Sequence, residues 1–175
     1  MADETTGNGS AGSANGNGAA KTDQPPIQAR ILAQYIKDLS FEVPSAERLS
    51  AGPSENVKLD REINVNAQQL EGAKFESVIE FKATASDDRG TIYSLEITYG
   101  GLIELGRIPQ EALEPFLLVN CPAMVYPYLR RVVSDLTREC NFASPLTDMI
   151  DFGHLYVQRK QQAEAAGKAS EPALS

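Results

Sequence analysis

Apolar and polar residues alternate along four stretches of the chain. Val57, Leu59, Ile63 and Val65 interleave with Lys58, Asp60, Glu62, Asn64 and Asn66. A period of two with one apolar side predicts a half-buried strand, with Arg61 as the exception on its apolar side. Phe75, Ile79, Phe81, Ala83 and Ala85 alternate in the same way with Lys74, Glu76, Glu80, Lys82 and Thr84. Asp87 to Gly90 supply turn residues. Tyr93, Leu95, Ile97 and Tyr99 then alternate with Ser94, Glu96 and Thr98, and Leu102 to Leu105 continue the run. Gly100 and Gly101 inside that strand predict a bulge or a sharp bend. An earlier stretch sets Tyr35, Leu39, Phe41 and Val43 against Asp38, Ser40 and Glu42 and ends at Pro44. Four such strands with short links predict an antiparallel sheet with one apolar and one polar face.

The period then changes. Pro109 to Asn120 fits a short, proline-interrupted helix. Pro122 suits the first turn of a second helix, in which Val125, Leu129, Val133, Leu136 and Cys140 fall at helical spacing. Pro127, a turn inside, is expected to kink or loosen its start. A connector over Asn141 to Thr147 leads to a last helix expected from about Asp148 to Gln162. Strands first and helices afterwards predict an α+β fold: a four-stranded antiparallel sheet with two main C-terminal helices packed on one face.

Composition changes this picture at the ends. Residues 1–26 hold no Val, Ile, Leu, Phe, Tyr or Trp and are rich in Gly, Asn, Ser and Ala. Such a segment has too little apolar surface to offset its ordering entropy, so it reads as a disordered tail. The folded domain is expected over 27–162, with a second flexible tail over 163–175. Across 175 residues, 24 Asp and Glu outweigh 16 Lys and Arg, for a formal net charge of −8. An acidic surface disfavours nucleic acid and anionic membranes, and favours basic partners. No apolar run reaches membrane-spanning length, and the acidic start lacks a secretory pattern. The two cysteines, Cys121 and Cys140, therefore read as reduced thiols of a cytoplasmic protein.

Catalytic motifs fail on context. Gly7, Gly9 and Gly12 spell G-x-G-x-x-G, but the dinucleotide motif needs a strand before it and a helix after it. Gly101 to Ile108 approaches a phosphate loop, yet Arg107 and Ile108 stand where Lys and Ser/Thr are required, and Glu104 would repel phosphate. A single His154 and two Cys make no standard zinc site and leave general-base schemes little to use. The pattern points to a binding protein with no cofactor and no catalysis. The alternative from a different class is an α+β cavity protein holding a small apolar ligand between sheet and helices.

Four segments carry a resemblance: YIKDLSFEVP (Tyr35 to Pro44), LEITYGG (Leu95 to Gly101), VNCPAMVYPYLRR (Val119 to Arg131) and DFGHLY (Asp151 to Tyr156). In this order they resemble the SecB family of protein-export chaperones over about residues 27–160. The resemblance implies a homotetramer, a dimer of dimers, acting as an ATP-independent holdase. Such a protein keeps unfolded precursor proteins translocation-competent in the cytoplasm and delivers them to the SecA motor. It implies that the acidic residues at Asp38, Glu42 and Glu96 contact the basic, zinc-bearing tail of SecA. Ser94 stands where the family has Leu. Client grooves are implied, loosely, near Leu49, Phe142, Leu146, Met149 and Phe152, with core packing as the competing reading for Phe152. Tyr128, Val132 and Leu136 put apolar groups on more than one side of their helix. That extra side meets either another protomer or the chain's own core.

Overall fold

The computed structural model describes residues 28–50, 56–145 and 148–169. The tail at 1–26, the residues beyond 169, and Leu146 with Thr147 lie outside the described residues.

Strands β1 (Ala29–Glu42), β2 (Lys58–Gln69), β3 (Lys74–Asp87) and β4 (Gly90–Leu105) form one antiparallel sheet in the order β1-β4-β3-β2. The three links are not all short. Residues 43–57 carry the chain from one edge of the sheet to the other, through a single helical turn, α1 (Glu47–Ser50). The tight turns fall where their chemistry is. Gly72 and Gly90 adopt φ of +63° and +107°, and the Asp87 carboxylate accepts the Arg89 N–H at 2.8 Å.

One face of the sheet is apolar because alternate residues of β3 and β4 are. Ile79, Phe81, Leu95 and Ile97 are buried there against Val125, Leu129 and Val133 of α3 (Cys121–Glu139). Burying each such side chain is worth about 1.5–3 kcal/mol. The buried row of α3 ends on Thr137, not on Leu136, which is half-buried; the Thr137 hydroxyl donates to the Val133 carbonyl at 3.0 Å. Helix α4 (Phe152–Ala169) starts four residues later than its apolar spacing predicts. Asp151 caps it, accepting the His154 N–H at 2.9 Å.

Three expectations are corrected. Gly100 and Gly101 make no bulge, since β4 keeps its register with β3 through both. They permit close approach instead: a Cβ on Gly100 would sit 2.8 Å from the Tyr35 ring, and one on Gly101 3.0 Å from Val125. The register shifts lie elsewhere: β1 carries an extra residue at Leu32 and another at Lys37, and β4 one at Ile92. The one at Lys37 shifts the phase of β1, so Tyr35 pairs with Gly100 on the outer face, away from Leu39 and Phe41. The broken phase also hides the first part of the strand, Ala29 to Gln34, from a period-two reading.

The third correction concerns the prolines. Helix α2 (Gln110–Pro115), a π-helical turn (Phe116–Asn120) and α3 follow without a break. The Cys121 N–H reaches back five residues to the Phe116 carbonyl. Pro122 has no N–H to offer the Leu117 carbonyl in that pattern, and the buried Ser77 hydroxyl donates to it at 2.9 Å instead. Helix α3 runs on through Pro127, whose i−4 neighbour Ala123 is exposed, so water can reach the carbonyl left unpaired.

Candidate functional site

Two surfaces stand on opposite faces of the sheet. The outer face carries the acidic residues. Across the β1–β4 pair, Ser40 lies opposite Glu96, Glu42 opposite Ser94, and Asp38 opposite Thr98. Residues opposite one another share a face, so Asp38, Glu42, Glu96 and Ser94 form one patch on two neighbouring strands. The Ser40 hydroxyl donates to Glu42 at 3.4 Å. Glu96 accepts from Lys82 of β3 at 3.1 Å, and both side chains are about half exposed.

Further along the same face one carboxylate is buried. Glu76 is 6% exposed. It accepts from the Tyr35 hydroxyl, from the Gln68 side chain, and from Lys37 at 2.9 and 3.0 Å. Burial alone would raise its pKa; the donors Tyr35, Lys37 and Gln68 outweigh it and hold the carboxyl below its ordinary value. Tyr35 is pushed up to about 12, first by burial and then by the carboxylate it serves.

The inner face ends in an apolar cleft of about 370 Å³ beside the β3–β4 turn. Leu49, Val57, Leu59, Ile92, Tyr93 and Phe142 line it. Tyr93 is packed between Phe41 and Phe142, with ring centroids 5.5 and 5.1 Å away. One wall is tethered. Arg48 of α1 makes two 2.7 Å contacts to Asp87, with side chains 11% and 1% exposed, and a third to the Gly90 carbonyl. This holds the turn containing Leu49 over the end of β3 and β4.

Of the residues expected at a client groove, the structure brings Leu49 and Phe142 into this cleft. Met149 stands clear of it, 90% exposed. Phe152 is buried in the core, edge-on to Tyr126 at 5.6 Å. Leu146 lies outside the described residues. The cleft also draws in Tyr93, Leu59 and Val57, which the alternation marks only as ordinary sheet core. The pairing of Arg48 with Asp87 carries no local signal, since they meet across 39 residues. On α3, Val132 and Leu136 pack half-buried against the core, whereas Tyr128 and Met124 are 50% and 38% exposed. Ile36 and Leu39 of β1 are exposed too, at 44% and 39%. Ile36 is the register partner of Tyr99. The pKa of Tyr99 is raised by burial and by the nearby Tyr128. Cys121 is buried, Cys140 half-buried, and both are free; burial pushes the Cys121 thiol up to about 12.

The architecture is similar to that of a solved SecB-like chaperone, Rv1957 of Mycobacterium tuberculosis, in complex with a peptide from the HigA1 antitoxin. The match has a TM-score of 0.57 at 15% identity and covers 70% of this chain and 90% of that one. The class is thus that of the SecB-like α+β fold, an open sheet with helices on one face. The family description "Preprotein translocase subunit SecB" matches residues 21–163. Protein-export protein SecB of Bradyrhizobium sp. is 38% identical over 159 residues, covering 90% of this chain and 98% of that one. The same-named protein of Parvibaculum lavamentivorans is 36% identical over 98% of this chain and 99% of its own length. That of Rhizorhabdus wittichii is 39% identical over 83% and 87%. The chain belongs to the SecB family of protein-export chaperones.

Proposed function

We propose that this chain is an ATP-independent holdase of the cytoplasm, one that captures unfolded precursor proteins without catalysis and passes them to SecA. The observation that carries the reading is the open apolar cleft built from Leu49, Leu59, Tyr93 and Phe142. Apolar burial is non-directional, at roughly 25 cal/mol per Å², so such a cleft accepts many sequences. Folded proteins expose few patches that would fit it. Affinity adds up when several clefts hold one long client. The apolar strip left uncovered on a single chain, Ile36 and Leu39 with Met124 and Tyr128, suits contact with further copies and supports a tetramer. The acidic patch of Asp38, Glu42 and Glu96, with Ser94 in place of an apolar contact, supports docking of a basic SecA segment. No helix of the described residues is long and apolar enough to cross a membrane.

The volume of the cleft also falls within the range of small-molecule sites, which supports the second reading, a small apolar ligand. A refolding assay separates the two. The chain should delay refolding of a denatured precursor without ATP, at a native mass near four chains. Leu49→Ser with Phe142→Ser should weaken capture about tenfold, the loss of ~1.4 kcal/mol or more of apolar contact, with a much smaller change in melting temperature. A parent protein that leaves refolding untouched would remove the holdase reading. Asp38→Ala, Glu42→Ala and Glu96→Ala together should weaken SecA binding and spare capture.

A further inference from the structure

The outer face is divided by charge. Around the acidic patch the register sets Asp38, Glu42, Asp60, Glu62, Glu80 and Glu96 on this face, with Lys58 and Lys82 as cations among them, while Lys37 is engaged by Glu76 and Lys74 lies at the far end. Lys82 is the central one. It lies opposite Glu96 on one side and opposite Glu62 on the other, and its ammonium is 3.1 Å from Glu96. With both partners about half exposed, the pair is worth about 0–1 kcal/mol as a stabilising contact. A bond this weak contributes little to the fold, but it lies on the surface that a basic chain would use.

We infer that Lys82 is a built-in competitor for the acidic face, occupying Glu96 in the free protein and yielding it when a basic polypeptide segment docks. The inference rests on the reading of that face as a docking surface and adds the residue that sets its strength. Lys82 lowers the affinity for any basic segment, because its charge opposes the incoming ones. It also raises the threshold of charge a partner must carry. A segment with one or two cations gains too little to displace it, whereas a segment with several cations reaches Asp38 and Glu42 as well and gains more than it loses. The face is thereby selective for densely basic partners and holds them loosely enough to release.

The test measures binding of the basic C-terminal segment of SecA, as a zinc-loaded peptide, to the full chain and its variants. Lys82→Thr should bind about three- to tenfold tighter at low salt, as expected for one unit charge removed within several ångströms at intermediate screening. The gain should shrink to less than twofold near 1 M salt, where the screening length is about 3 Å. It should also shrink in a Glu96→Gln background, where the competitor has lost the carboxylate it holds and only the repulsion of its charge remains. Lys74→Thr removes a cation from the same face at its far end, opposite Glu104, and should change affinity by less than about twofold. Equal or weaker binding by Lys82→Thr would overturn the inference, and so would equal gains from both lysine variants. The acidic triple variant separates the two claims. If it loses binding while Lys82→Thr matches the parent, the docking face stands and the competitor falls. If it binds like the parent, the face itself is wrong.

Discussion

Glu76 is the most demanding residue of the outer face, because it brings a carboxylate nearly out of water. Its charge is held by Tyr35, Lys37 and Gln68, so its pKa is lower in the folded chain than in the unfolded one. A group of that kind stabilises fully above its unfolded value of about 4.3 and loses its contribution as pH falls through the folded value. Tyr35 behaves in the opposite sense. Its pKa is raised to about 12, so its contribution is complete below about 10 and is lost as pH rises through 12. The stability difference between the parent and a Glu76→Gln variant should therefore be flat from about pH 6 to 9 and collapse below about 4.3. Against Tyr35→Phe it should collapse on the alkaline side instead, between about 10 and 12. Urea titrations across pH read both arms, and a Glu76→Gln difference that stays constant down to pH 3 would show the carboxylate is not held by its charge. Little of this cluster is legible in the sequence. Tyr35 reads as an inward residue until the extra residue at Lys37 is known, and Glu76 as one more solvated carboxylate. Asp38, Glu42 and Glu96 are read correctly as sharing a face because β1 is regular from Asp38 onward.

Among the elements, the helical run from Gln110 to Glu139 departs most from its sequence pattern. Three prolines suggest breaks, yet the chain stays helical by widening one turn. The cost of Pro122 falls on the Leu117 carbonyl, and Ser77 meets it from β3 across 40 residues. Ser77→Ala would leave a buried carbonyl without a donor and should cost about 1–3 kcal/mol. Ser77→Cys, with its weak donor, should fall between alanine and the parent. Chemical denaturation checks the order, and an alanine variant as stable as the parent would show that the bond is not needed. Local spacing predicts that helices follow the sheet, and they do. It cannot predict a π turn whose stability depends on a serine that sits, by alternation, among apolar strand residues. The sheet itself was legible, with boundaries off by a few residues, because period two survives in β2, β3 and β4. The strand order was not, since it depends on where the 43–57 link lands.

At the scale of the molecule, the apolar cleft and the acidic face lie on opposite sides of one sheet and share strand β4. Phe41 and Tyr93 point inward to the aromatic packing behind the cleft, while their chain neighbours Glu42 and Ser94 point outward to the acidic patch. One sheet thus presents two surfaces that no single ligand can cover from one side. The consequence is that occupancy of the two is additive, not exclusive. On the proposed function, a captured chain and a docked motor would form a ternary complex, and transfer between them would need no interval in which the precursor is free in solution. Saturating the protein with an unfolded client should leave its dissociation constant for the basic SecA segment within about threefold of the free value, a coupling below ~0.7 kcal/mol. Calorimetry with and without bound client measures this directly, and mutually exclusive binding would break the picture. Export would then be limited by how long the two occupants overlap, a residence time set by two dissociation rates, and not by how tightly either one binds alone.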